Sequence, residues 1–101
     1  MLLFKEIKDE IVVDYDLEGL STELGVSWKP LARRLEFGEA EIEGFDHDNK
    51  ELREKCYRML HTWKRKKASS AAYLVLYEAL CHEHVGRKDL AVKYCISEST
   101  D

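Results

Sequence analysis

A single proline and five glycines punctuate these 101 residues, a scarcity that argues against a turn-rich β fold. Cysteine is scarce as well. Cys56, Cys81 and Cys95 are an odd, low number, so they provide no disulfide framework and fit a reducing compartment. No apolar run approaches the roughly 20 residues needed to cross a bilayer. The opening MLLFKEIKDE is interrupted by Lys5, Glu6 and Lys8 and does not read as a signal peptide. The expected location is the cytoplasm or nucleus, or an intracellular segment of something larger, with no membrane insertion. Positive charge is not in excess: 16 Lys and Arg stand against 20 Asp and Glu, a net charge of −4. That balance opposes general nucleic-acid binding, which draws on surplus cations to release counterions.

What the chain does have is 45% hydrophobic and 36% charged residues. This suffices for one domain with a core that needs neither metal nor disulfide staples. Apolar residues recur at helical spacing almost throughout. Leu3, Ile7 and Ile11 suggest a short first helix, although Ile11-Val12-Val13 would also suit a strand. Leu17, Leu20 and Leu24 follow, with Asp16 as an N-cap and Gly25 as a stop. Ser27 then resembles a cap for a helix carrying Trp28, Leu31, Ala32 and Leu35, with Pro30 in its first turn. A short helix is expected from Glu39 to Phe45, with Ile42 and Phe45 inward. Asp48 and Glu51 resemble a capping box before Leu52, Cys56, Met59, Leu60 and Trp63. That helix stops in the basic run Lys64 to Lys67, whose charges suit a helix C-terminus. Ser69 or Ser70 is placed as the cap of AAYLVLYEALC, whose inward face is read as Ala72, Leu76, Ala79 and Leu80. Tyr73 and Tyr77 lie on another face, covered by the N-terminal segment or open to a partner. Gly86 precedes a last helix with Leu90, Ala91 and Tyr94. The expectation is a compact all-α bundle of six or seven short helices on short connections.

Reactive constellations are weak. Cys81, His82 and His84 cluster, but the paired spacings of a structural zinc site are missing, so no metal and no cofactor are expected. Asp46-His47-Asp48 sets a histidine between carboxylates, yet neighbours in sequence point apart on a helix. There is no Gly-rich loop and no G-x-S-x-G elbow, and a bundle this small leaves little volume for a substrate pocket. The reading is therefore non-enzymatic, with no small-molecule substrate.

The charge is unevenly distributed. Residues 49–67 hold 8 basic and 2 acidic side chains, residues 28–48 hold 3 and 6, and residues 1–27 hold 2 and 7. A polarised surface steers complementary partners. The basic run could also be a nuclear localisation signal, a phosphate-binding patch or simply a solvated helix end.

The stretches SWKPLARRLEFGEAEIEGFDHDN, LREKCYRMLHTWKRKK, AAYLVLYEAL and GRKDLA together resemble a death domain. The marks are Trp28 with Leu31 and Ala32, then Ile42, then Leu60 with Trp63, then Ala72, Leu76 and Leu80, then Asp89-Leu90-Ala91. Within the family the run from Trp28 to Trp63 is most similar to the death domain of the TNF-pathway receptor-interacting kinase and related adaptors. The resemblance implies an antiparallel, Greek-key-like six-helix bundle over residues 15–97. Residues 1–14 would be an N-terminal extension, with an extra helical segment as one reading of it, and residues 98–101 a disordered tail. It further implies a core built on Trp28, Leu31, Ala32, Leu35, Ile42, Leu60, Trp63, Leu76, Leu80 and Leu90. The implied function is homotypic assembly in apoptotic or NF-kappaB signalling, with a receptor, adaptor or kinase death domain as partner and self-association as a further option. Helical nucleic-acid binding and a structural scaffold role are the alternatives. The expected contact surfaces are a basic one (Arg58, Lys64, Arg65, Lys66, Lys67, with Arg33 and Arg34) and an acidic one (Glu39, Glu41, Glu43, Asp46, Asp48).

Overall fold

Four apolar side chains at helical spacing, Cys56, Met59, Leu60 and Trp63, form the inward stripe of the longest element, helix α4 (Leu52–Lys67). Around it the computed structural model, which describes residues 5–98, places β1 (Lys5–Ile7), α1 (Asp14–Leu24), α2 (Trp28–Arg34), α3 (Glu39–Asp48), α5 (Tyr73–Cys81), α6 (Lys88–Cys95) and β2 (Ile96–Glu98). Two 3-10 turns, Gly25–Ser27 and Ala68–Ser70, complete the described chain. α1, the first 3-10 turn and α2 succeed one another without an intervening loop residue, so the α-helices form five loop-separated helical segments. The Cα radius of gyration, 13.6 Å, is that of a compact domain of this length.

α1 packs on α4 and α6, α5 packs on α6, and α2 and α3 close the far side of α4. One continuous core results. Trp28, Leu31, Ala32, Leu35, Ile42, Leu60, Trp63, Leu76, Leu80 and Leu90 are all buried in it. Ser21 is the one buried polar side chain among the described residues, and its hydroxyl donates to the Leu17 carbonyl at 2.7 Å. The end of α2 is a Schellman motif. The Phe37 N–H donates to the Ala32 carbonyl at 3.0 Å and the Glu36 N–H to the Arg33 carbonyl at 3.1 Å. Glu36 sits at φ 73, where glycine is usual. Phe37 is thereby turned under the domain, edge-on to Phe45 with ring centroids 5.4 Å apart.

Several sequence expectations are corrected. The expected N-terminal helix is extended chain where it is described; Leu3 lies outside the described residues. β1 pairs antiparallel with β2, Lys5 opposite Glu98 and Ile7 opposite Ile96. Its hydrogen-bonding partner comes from the other end of the chain, and Ile11-Val12-Val13 then runs beside the start of α5. Glu98 belongs to β2, not to a tail; residues 99–101 lie outside the described part.

None of the expected side-chain caps forms. α1 starts at Asp14, which leaves Asp16 inside the first turn. Ser27 has helical dihedrals within the 3-10 turn. α3 extends to Asp48, so no capping box with Glu51 exists. Ser69 and Ser70 belong to the second 3-10 turn, and α5 begins only at Tyr73. Its first N–H donates instead to the Glu10 carbonyl at 3.3 Å.

On α5 the inward face includes Tyr73 rather than Ala72. Tyr73 is fully buried beneath the N-terminal segment, donates to Asp16 Oδ2 at 2.5 Å and accepts from the Val13 N–H at 3.2 Å. Burial first, and then the Asp16 carboxylate, push its phenol above the ordinary range. Tyr77 is half-buried against the core.

Candidate protein-interaction surface

The basic end of α4 is not a free cationic cluster. Lys64 reaches Asp14 of α1 at 2.9 Å, Lys66 reaches Glu41 of α3 at 3.3 Å, and Lys67 reaches Glu36 beyond α2 at 2.7 Å. Lys66 also lies over the Phe37 ring, 5.0 Å from its centroid. The carboxylates respond. The Lys64 and Lys67 ammonium groups hold Asp14 and Glu36 below the usual carboxylate range. Glu41 is lowered first by the Gly38 N–H, which donates to it at 3.0 Å, and then by Lys66.

The expected acidic surface is similarly occupied. Glu39 takes a two-pronged contact from Arg33, at 2.7 and 3.2 Å. Asp46 accepts from Lys29 at 2.8 Å and from Lys55, which together hold it down to about 2. Asp48 pairs with His47 at 3.2 Å on the open surface. The structure joins the two expected sets directly at Arg33 with Glu39 and at Lys66 with Glu41, and occupies Lys64, Lys67 and Asp46 with other partners of the same chain, because α3 and the end of α2 pack beside α4. They are not two separate faces. Glu43 is exposed and has no cation within ion-pair distance among the described residues.

The arginines of α4 are different. Among the described residues, no carboxylate lies within 4.0 Å of Arg53, Arg58 or Arg65, and all three are exposed. Arg53 and Arg58 border a groove of about 730 Å³ between α1, α4 and α6, shared with Tyr15, Tyr57, Tyr94 and Lys93. Tyr15 is 82% exposed, a large aromatic held in water at the groove's edge. Tyr57 stacks on His61 one turn further along α4, centroids 5.5 Å apart. Arg65 follows Arg58 by two helical turns on the same side of α4. Arg34 meets no carboxylate either and lies 3.3 Å from the His82 ring.

Arg53 and the tyrosine groove escape sequence reasoning. Arg53, Tyr57 and Arg58 do share helical spacing, but only the fold shows that neighbouring helices leave that side open. Unlike the lysines, these arginines are still available to a second molecule. Guanidinium groups beside aromatic rings form the residue set favoured at protein interfaces.

Among the described residues, no group of three or more His, Cys, Asp or Glu is placed to hold a metal ion. Cys56 is buried with its thiol 3.7 Å from the Gly25 carbonyl, and burial pushes it up to about 11. Cys95 is buried and pushed to about 12. Among the described residues, no helix is long and apolar enough to cross a membrane.

The structure is a helical domain with one tight core and a charged, groove-bearing outer face. The Death domain family model matches residues 15–94, and the chain belongs to that family. Human receptor-interacting serine/threonine-protein kinase 1 is 35% identical over 63 residues, which is 60% of this chain and 9% of that kinase. The chain thus spans a small fraction of the relative it matches. Death domains are non-catalytic modules that associate with other death domains.

Proposed function

We propose that this domain assembles homotypically with another death domain, of a receptor, adaptor or kinase or a second copy of itself, in apoptotic or NF-kappaB-type signalling in the cytoplasm. Residues 15–97 act as the six-helix death domain and residues 1–14 as an N-terminal extension. The observation that carries this reading is the contrast within α4. Its terminal lysines are paired in cis, whereas Arg53, Arg58 and Arg65 are exposed with no carboxylate within 4.0 Å among the described residues, Arg53 and Arg58 at a groove shared with Tyr15, Tyr57, Tyr94, Glu18 and Glu54. The partner surface is therefore acidic. On a second copy, the exposed Glu43 and Asp48 at the outer side of α3 supply such charge.

The test is the double reversal Arg58→Glu with Arg65→Glu. Self-association and binding to the death domain of receptor-interacting kinase 1 are followed by sedimentation at low and physiological salt, with the melting temperature as control. Neither arginine has an internal ion pair to lose, so the fold stays intact. Association falls, most steeply at low salt where screening is least. Unchanged association at low salt overturns the assignment of this face. A matching reversal at Lys66 and Lys67 has the smaller effect, since those side chains already hold carboxylates.

A further inference from the structure

The short 3-10 turn Ala68–Ser70 carries two hydroxyls that neither the fold nor the assembly face uses. Ser69 and Ser70 are exposed. The four residues ahead of Ala68 are all cationic, Lys64-Arg65-Lys66-Lys67, so Ser69 carries positive charge at the second to fifth positions before it. Ala68 is held at φ 48 and ψ −114, a conformation that L-residues avoid and that stores backbone strain.

We propose that Ser69 is a phosphoacceptor for a cation-directed serine/threonine kinase, one whose acidic substrate groove reads the lysines two and three residues before the hydroxyl. Such a kinase needs the segment extended, and the local structure yields readily. Unwinding the last turn of α4 breaks the solvent-exposed ion pairs of Lys66 with Glu41 and Lys67 with Glu36, the Lys66 contact over Phe37 and the Ala68 N–H bond to the Lys64 carbonyl, and it releases the strain at Ala68. Trp63 anchors the helix one turn earlier and Val12 fastens Ala71 just beyond, so opening stays confined to the turn. Ser69 Oγ attacks the γ-phosphorus of ATP and loses its proton to the kinase's base. The new Oγ–P bond forms as the P–O bond to ADP breaks, and ADP leaves. Ser69 is the acceptor rather than Ser70 because it places Lys66 and Lys67 at the two nearest reading positions.

The product changes the corner electrically. A phosphoserine brings about 1.5–2 negative charges and three strong acceptors. It competes with Glu36 and Glu41 for Lys67 and Lys66 and adds negative charge four residues along the chain from Arg65. The cationic face of α4 is weakened toward an acidic partner. This consequence rests on the assembly proposed above, whereas the modification itself does not.

The full 101-residue chain is incubated with the catalytic subunit of a cyclic-AMP-dependent protein kinase and Mg-ATP, and the product is read by intact mass and fragmentation. One phosphate on Ser69 is expected, lost in Ser69→Ala, retained in Ser70→Ala, and incorporated at least about tenfold more slowly in Lys66→Ala with Lys67→Ala. The proposal is overturned if the folded chain takes up nothing while a peptide of residues 62–73 is modified, or if the phosphate persists in Ser69→Ala. The phosphorylated chain is then compared with the parent in the association assay at low salt. Weaker association is expected. Unchanged association of the modified chain removes the regulatory role and leaves the acceptor site standing. If the Arg58 and Arg65 reversal is also silent, the assembly face is what has failed.

Discussion

Tyr94 of α6 lies directly across Gly19 of α1: a Cβ built on Gly19 would stand 2.8 Å from the Tyr94 hydroxyl oxygen and 2.9 Å from a ring carbon. The missing side chain leaves room for the Tyr94 ring over α1, where its hydroxyl donates to Glu23. Gly19→Ala therefore destabilises the domain by about 1–2 kcal/mol despite alanine's better helix propensity. In a Tyr94→Ala background the same change becomes stabilising, by about 1 kcal/mol, because only propensity is left. Chemical denaturation of the four-member cycle measures this reversal of sign.

Trp63 anchors the stripe of α4, 1% exposed, with its indole N–H unpartnered among the described residues. Trp63→Ala costs about 3–5 kcal/mol, most of it cavity and lost contact. A melting temperature within a degree or two of the parent would remove Trp63 from the centre of the core.

Asp46 ties α2 and α4 to α3 through Lys29 and Lys55, and these cations hold its carboxyl down to about 2 from an ordinary 3.8. The unfolded chain binds the proton more readily than the folded one, so stability rises with pH through this interval. The contribution is present above pH 3.8 and is lost as the pH falls toward 2. Asp46→Asn is expected to lower the melting temperature at pH 7 and to have little effect at pH 2. Parallel melts across that range test it. Because Asp46 is near the surface, added salt shrinks the difference.

Thiol labelling should separate the three cysteines. Cys56 and Cys95 are buried, with thiols raised to about 11 and about 12, and react only when the domain opens. Cys81 is half-exposed and labels first. Rapid modification of Cys56 in the native protein would contradict the packing of α4 against the α1–α2 turn.

The core was legible in the sequence because burial imposes a spacing. Trp28, Leu31, Ala32 and Leu35, and then Cys56, Met59, Leu60 and Trp63, each repeat at the helical period, and each stripe is buried. Caps were not legible. The free N–H groups at the start of α5 meet a main-chain carbonyl from Glu10, which carries no side-chain signature. β1 escaped for a related reason, since its partner strand lies at the other end of the chain. Segment charge pointed to α4 but not to its usable side chains. Lys64 finds its counter-ion 50 residues away, Lys66 25 and Lys67 31, and only the packed helices reveal which cations remain free.

The antiparallel pairing of β1 with β2 has a mechanical consequence. Lys5 and Glu98 are register partners, so tension applied through them acts across the ribbon, perpendicular to its strands. The three backbone pairs then separate in succession, like a zipper, and do not share the load. The ribbon gives way first, and the force next meets Lys8, whose N–H is bonded to the Cys95 carbonyl at 2.8 Å. The helical core therefore feels a pull only after both ends have peeled back. A load passing through the chain is absorbed by this ribbon before it can disturb α4 and the groove beside it.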